Sequence, residues 1–194
     1  MRYPPEHRAE THRKIVKDAA RRLCAEGLGG AAVSTVMKDA GLTHGGFYKH
    51  FGNKEELVME SVREAFREIG DFLARVARQS EPGTAWKAIV RTYLSAEHCE
   101  HPEGGCPVAA LASELARADK GMKGQIYREM EKYKSRLAPF MPGRRAADKE
   151  RAFGLMISTM LGAVTIARML PGRTERARLL ATTRDFLLAS FEGS

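Results

Sequence analysis

An all-α chain is predicted, on three observations. Apolar residues recur at spacings of three and four, most clearly at Val58, Val62, Ala65, Phe66, Ile69, Phe72, Leu73 and Val76. No run of alternating apolar residues bounded by hairpin turns is found, so strands are not expected. Gly27, Gly41, Pro82-Gly83, Pro142-Gly143 and Pro171-Gly172 fall between the periodic segments, where they end helices. With 194 residues and 43% hydrophobic content, the chain has enough apolar side chain for a substantial core. About nine helices are expected, arranged as an N-terminal three-helix domain over residues 1–53 and a larger helical domain over residues 54–194.

The first helix is expected over His7 to Ala25, with Val16, Ala19, Ala20 and Leu23 as its apolar stripe and Gly27, Gly29 and Gly30 ending it. Ser34 to Ala40 reads as a short helix with Ser34 as a cap, broken at Gly41, since glycine takes the left-handed conformation most cheaply. Thr43 is suited to cap the next helix, His44 to His50, which turns Phe47 and Phe51 inward. Its other face carries His44, Gly45, Tyr48, Lys49 and His50, and the two pieces together make a helix-turn-helix. Asn53 is placed to cap a helix from Lys54 to about Gln79, a rod about 40 Å long.

Beyond it, Pro82 suits the first turn of a helix running to about His98, with Trp86, Ile89, Val90, Tyr93 and Leu94 inward. His98 to Pro107 reads as a loop by its proline and glycine content. Helices are expected over Val108 to Ala118, Gly121 to Leu137, Ala146 to Leu170 and Thr174 to Phe191. The uncharged run from Ala152 to Ala167 is shorter than the ~20 residues that cross a bilayer. It is read as a helix buried on most sides, between subunits, and no membrane partner is expected.

Charge points to function. The net charge is +8, and the first 54 residues hold ten basic against five acidic side chains, while the remaining 140 hold 22 against 19. Positive charge therefore gathers at the helix-turn-helix, as phosphate binding requires. Thr43, Tyr48, His50 and Lys54 are placed to meet phosphates, which fixes register without reading sequence. His44 and Lys49, with Ser34 and Thr35 from the preceding helix, are the candidates for base edges. Gly45 and Gly46 let the helix start approach a duplex closely. Because so few side chains reach bases, a symmetric homodimer reading two half-sites of double-stranded DNA is expected.

The order Gly41, Leu42, Thr43, Gly45, Phe47, Tyr48, His50, Phe51, Asn53, Lys54 resembles the DNA-binding domain of the tetracycline-repressor (TetR) family of bacterial regulators. The likeness extends back over the helix from His7 to Glu26, so it covers about the first third of the chain. The sequence departs from the family pattern at Ala31 and Ala32, where a Ser or Thr cap is common, and at Gly46, where a side chain often meets a base. The resemblance implies a repressor released from its operator by an apolar or electrophilic small molecule held in the larger domain. Phe66, Trp86, Tyr93, Cys106, Met122, Ile126, Tyr127, Met130, Met156 and Met160 are the candidate ligand contacts. Leu155, Thr159, Gly162, Ile166, Leu180, Arg184, Leu187 and Leu188, on the last two helices, are the candidate dimer contacts.

His98, Cys99, His101 and Cys106 form the one other suggestive cluster. As a zinc site it lacks the usual ligand spacing. As a thiol switch, Cys106 would stand at a helix N-terminus, where the thiolate is favoured. A regulator sensing oxidants or electrophiles at Cys106 is thus the alternative, and a metal-dependent helical enzyme built on this loop is another; the plain reading is an inert packed cysteine. No phosphate loop, nucleophile elbow or acid pair is found, so an enzyme is not expected, nor a cofactor or metal. The N-terminus has no apolar core for secretion and three cysteines make no disulfide framework, so the cytoplasm is expected.

Overall fold

The computed structural model describes residues 5–193; residues 1–4 and 194, at the outer ends of the two expected domains, lie outside it. The described residues are helical, without strands: α1 Pro5–Glu26, α2 Val33–Asp39, α3 Lys54–Arg78, α4 Ala85–Tyr93, α5 Ala96–Glu100, α6 Pro107–Leu115, α7 Lys120–Leu137, α8 Ala146–Met169 and α9 Arg173–Ser190. Short 3-10 segments stand at Leu28–Ala31, His44–Lys49, Pro102–Gly104 and Ala138–Phe140.

The apolar side chains gather in two main groups. The smaller holds Ile15, Val16 and Ala19 of α1, Val36 and Met37 of α2, Phe47, Phe51 and the first-turn Leu57 of α3. The larger takes α3 from Val58 onward with α4 to α9. A seam of small residues, Ala20, Cys24 and Ala65, lies where α1 crosses α3, with Ala110 of α6 against it. The most extensive helix contacts are α1 on α3, α3 on α7 and α8 on α9. Helix α3 is therefore common to both groups.

Local chemistry accounts for the main elements. Asn53 accepts a hydrogen bond from the Glu56 amide at 2.8 Å, which starts α3 where expected. Val58, Val62, Ala65, Phe66, Ile69 and Leu73 are buried as their spacing predicts. Phe72 is not: it is 45% exposed, because it lies about 120° round the helix from Phe66.

Several boundaries differ from expectation. Pro82 does not begin a helix. It sits in a turn closed by the Thr84 amide on the Glu81 carbonyl (3.0 Å), with Gly83 at φ 82°, and α4 starts only at Ala85. Nor does that helix reach His98. The Ser95 hydroxyl accepts from the His98 amide at 3.1 Å and begins a new helix, α5. His98 turns its imidazole back, so that Nδ1–H donates to the Tyr93 carbonyl at 2.7 Å and closes the end of α4. The expected loop from His98 to Pro107 is thus mostly α5 and a 3-10 turn.

Helix α8 is less enclosed than expected. Phe153, Met156, Met160, Val164 and Ala167 are buried, but Leu155, Ile166 and Met169 are 56%, 52% and 77% exposed. By length and composition α8 is apolar enough to cross a membrane, with 39% of its most apolar window buried.

Candidate nucleic-acid interface

The turn between α2 and the His44–Lys49 segment is built on one glycine. Gly41 takes φ 73°, its amide donates to the Lys38 carbonyl (3.0 Å), and the Leu42 amide reaches the Met37 carbonyl (2.8 Å). That pair of bonds closes the C-terminus of α2 and sends the chain sharply onward. Leu42 packs against the small core.

The segment that follows is a 3-10 turn rather than the α-helix expected over His44 to His50. Gly46 donates to the Thr43 carbonyl and His50 to the Phe47 carbonyl, both three residues back. Six residues with two adjacent glycines cannot sustain α-helix nucleation, and the tighter turn needs fewer fixed residues. The expected side-chain caps are also absent. Thr43 makes none, and α2 is entered from Ala32, which leaves Ser34 inside the helix.

What holds the segment is its underside. Phe47 and Phe51 are each 2% exposed, with ring centroids 5.4 Å apart, and they rest on Ile15, Val36 and Met37. His12 of α1 stacks on Phe51 at 4.6 Å and pairs with Glu60 of α3 at 2.8 Å. Arg8 donates to the Lys49 carbonyl. Arg22 bridges α1 to α2 through Asp39 at 2.9 Å. These contacts clamp the segment between α1 and α3.

Its outer side is wet and cationic. Tyr48 is 69% exposed and stands edge-on against Phe47. Ser34, Thr43, His44, Gly45, Lys49 and Lys54 are exposed, and Thr35, Gly46 and His50 half-exposed. The expected contact residues are thus all at least partly open to solvent. A Cβ on Gly45 would meet nothing within 4 Å, so this glycine is not required by the protein's own packing. His50 is pushed below the ordinary imidazole range, chiefly by burial and then by His12, Arg8 and Lys49, so it is neutral near pH 7. Arg8, which reaches across to Lys49, was not singled out from sequence because its role is spatial.

The other expected groups separate. Among the ligand candidates, Phe66, Trp86, Tyr93, Cys106, Ile126, Met156 and Met160 are buried in the larger core, Met122 is half-buried, and Tyr127 (62%) and Met130 (41%) face outward. Phe66 lines a cleft of about 210 Å³ between α3 and α7, with Arg63, Arg67, Glu129, Lys132, Tyr133 and Arg136. Tyr133 was not a sequence candidate; its spacing marks it only as core.

Of the dimer candidates, Leu155, Gly162 and Ile166 are exposed, and Thr159, Arg184 and Leu188 half-buried. Leu180 and Leu187 are 3% and 2% exposed, packed within the protomer. Met169 and Phe186 (63%) extend the exposed apolar face and were missed.

The His98–Cys106 segment is a structural clamp. His98 Nε2 accepts from the Cys106 amide at 3.3 Å, and Arg168 of α8 donates to the His98 and Cys99 carbonyls at 2.9 and 3.2 Å. Gly105 is needed there, since a Cβ would stand 3.0 Å from His98 Nε2 and 3.1 Å from the Pro102 carbonyl oxygen. His101 is exposed and pairs with Glu103, so the two histidines do not converge. Among the described residues no three His, Cys, Asp or Glu side chains are placed to hold a metal. Burial pushes the Cys106 thiol up despite the helix N-terminal amides beside it, and Cys24 is pushed up to about 12. A thiolate at Cys106 is disfavoured.

Comparison with known proteins agrees with this geometry. Residues 16–60 match the family described as bacterial regulatory proteins, tetR family. The chain is 28% identical over 109 residues to the HTH-type transcriptional regulator LmrA of Bacillus subtilis, covering 55% of this chain and 58% of that protein. It is 31% identical over 81 residues to the HTH-type transcriptional regulator TtgR of Pseudomonas putida, covering 42% and 38%. These matches span less than two thirds of either relative. A TetR transcriptional regulator from Chloroflexus aurantiacus superimposes with TM-score 0.77 at 24% identity, over 97% of this chain and 98% of that one. A TetR-family regulator from Cytophaga hutchinsonii gives TM-score 0.77 at 19% identity, over 99% and 100%. Residues 16–60 thus match the N-terminal domain of the tetR family, and the described residues share the all-helical fold of those solved structures.

Proposed function

We propose that the protein is a DNA-binding transcriptional regulator, a homodimeric repressor released from its operator by a small molecule in the cytoplasm. The observation that carries this reading is the His44–Lys49 segment: its apolar side is locked onto a small core and its Tyr48–Lys49 side is left to solvent. Residues 1–53 are the reading head and residues 54–194 the ligand-binding and dimerising body. The exposed face of Leu155, Ile166, Met169 and Phe186 on α8 and α9 supports pairing of two copies, because apolar contacts of this kind favour burial.

Helix α3 is the proposed link. Its first turn supplies Leu57 to the reading head, and its middle supplies Phe66 to the α3–α7 cleft. Arg63 and Glu129 (3.2 Å), and Arg136 and Asp71 (2.8 Å), tie α3 to α7 across that cleft. A ligand that parts the two helices would shift α3 and alter the separation of the two reading heads. Two rigid heads must fit one groove together, so a shift of a few ångströms abolishes bivalent binding.

The test is recovery of bound duplex from genomic fragments, followed by titration of the recovered site at several salt concentrations. Salt-sensitive, sequence-selective binding by a dimer is expected, weakened by Tyr48→Ala without loss of helicity. A monomer with no preference for any duplex would overturn the proposal.

A further inference from the structure

The cleft between α3 and α7 has a floor and a rim of different chemistry. Phe66 and Tyr133 make the floor: both line the cleft, both are buried, and their ring centroids stand 5.8 Å apart. Arg63 and Arg67 of α3 and Lys132 and Arg136 of α7 make the rim, with side chains between 35% and 65% exposed. Gly70 of α3 lets the two helices approach there. A Cβ at that position would stand 3.3 Å from both the Tyr133 ring and the Arg136 guanidinium.

The rim is one acid short. Among the described residues Glu129 pairs with both Arg63 (3.2 Å) and Lys132 (2.9 Å), through the same oxygen, Oε1. Asp71 is divided between Arg67 (3.1 Å) and Arg136 (2.8 Å), and Glu64 pairs with Arg67. Four cations therefore face three acids, and the shortfall lies where Arg63 and Lys132 share one carboxylate. Arg63 engages Glu129 through Nε, which leaves its two terminal nitrogens without a protein partner among the described residues. A guanidinium edge of two parallel N–H donors fits the two oxygens of a carboxylate. The pairing gains from the apolar floor beside it, since partly buried charges are screened less than exposed ones.

We infer that the α3–α7 cleft binds small aromatic monocarboxylates, the ring on Phe66 and Tyr133 and the carboxylate on Arg63 and Lys132. The cleft, of about 210 Å³, is smaller than the roughly 300 Å³ at which sites for drug-sized molecules begin, so it suits a single ring. A neutral compound leaves the spare positive charge unmatched, a dianion exceeds it and a cation is repelled by it. The incoming carboxylate competes with Glu129 for Arg63 and so loosens a bridge between α3 and α7. This deepens the ligand-responsive reading above, by naming the class of molecule, and rests on it.

Benzoate and benzamide, alike in shape and different in charge, test it by calorimetric titration of the full chain. Benzoate is expected to bind about tenfold more tightly, because hydrogen bonds to a charged group are the stronger ones. Raising salt from about 50 to about 500 mM should weaken benzoate and leave benzamide unchanged. In Arg63→Gln the preference should fall to about twofold or less, with the melting curve close to the wild type because this side chain is half exposed. Lys87→Gln, which removes a cation outside the cleft, is the control and should keep the full preference. No preference in the wild type, a preference indifferent to salt, one that survives Arg63→Gln, or an equal loss in Lys87→Gln would each overturn the inference. Gel shifts with the same samples keep the two readings apart. Intact operator binding without a benzoate preference removes this ligand class alone, whereas absent operator binding tells against the regulator reading and leaves the titrations standing.

Discussion

Replacing Lys49 by glutamine isolates the electrostatic part of the interface. Lys49 is exposed on the outer side of the His44–Lys49 segment, and its side chain makes no ion pair among the described residues. Folding stability should therefore move by no more than about 0.5 kcal/mol. If each copy places one Lys49 on a phosphate, a dimer loses two contacts. The slope of log affinity against log salt should then flatten by about 1.8, at about 0.9 per phosphate. Between 50 and 200 mM salt, that change amounts to roughly a tenfold difference in how affinity falls. Fluorescence anisotropy of a labelled operator over that range measures it. His44→Ala is the control: as a base contact it should weaken one operator sequence and leave the slope alone. A Lys49→Gln slope equal to the wild type would refute the placement of this side against the phosphate backbone.

Three further outcomes follow from the geometry. Asn53→Ala removes the side-chain cap of α3 and should destabilise the protein by about 1 kcal/mol, seen as a melting temperature lower by about 2–4 °C. Gly45→Ala should leave the melting curve close to the wild type, because its Cβ meets nothing within 4 Å, yet weaken operator binding in gel shifts; unchanged affinity would mean that the backbone here stands off the duplex. His98 is held below the ordinary imidazole range by burial, against the opposing bond to the Tyr93 carbonyl, so its contribution is present above about pH 6.5 and lost as pH falls through its folded value. Calorimetric melts should show the advantage of wild type over His98→Asn shrinking from pH 7 to pH 5, and a constant difference would remove His98 from that role.

Features set by neighbours in the chain were legible before any coordinates. Gly41 needed a left-handed backbone, Asn53 preceded a long periodic helix, and Phe47 with Phe51 defined an inward side. The break after Tyr93 was not legible, because it depends on an imidazole folding back and on Arg168, about seventy residues away, bonding the α5 carbonyls. The 3-10 geometry of the His44–Lys49 segment was half legible: the glycine pair was visible, but its effect on the hydrogen-bond register was read as close approach alone. Periodicity likewise separates core from surface only on average. It put Phe72 in the apolar stripe of the long helix, where the structure leaves it 45% exposed.

The alanines and cysteine where α1 crosses α3 have a bearing on how such a molecule can change over time. Ala20, Cys24 and Ala65, with Ala110 beside them, pack α1 against α3 through small side chains, so the two helices meet closely along a broad crossing. A single added methyl or isopropyl group at that crossing would act as a permanent wedge, tilting α1 and the segments it holds away from α3. On the proposed regulator reading, lasting release is thus one codon away, at a site apart from the proposed duplex and ligand contacts.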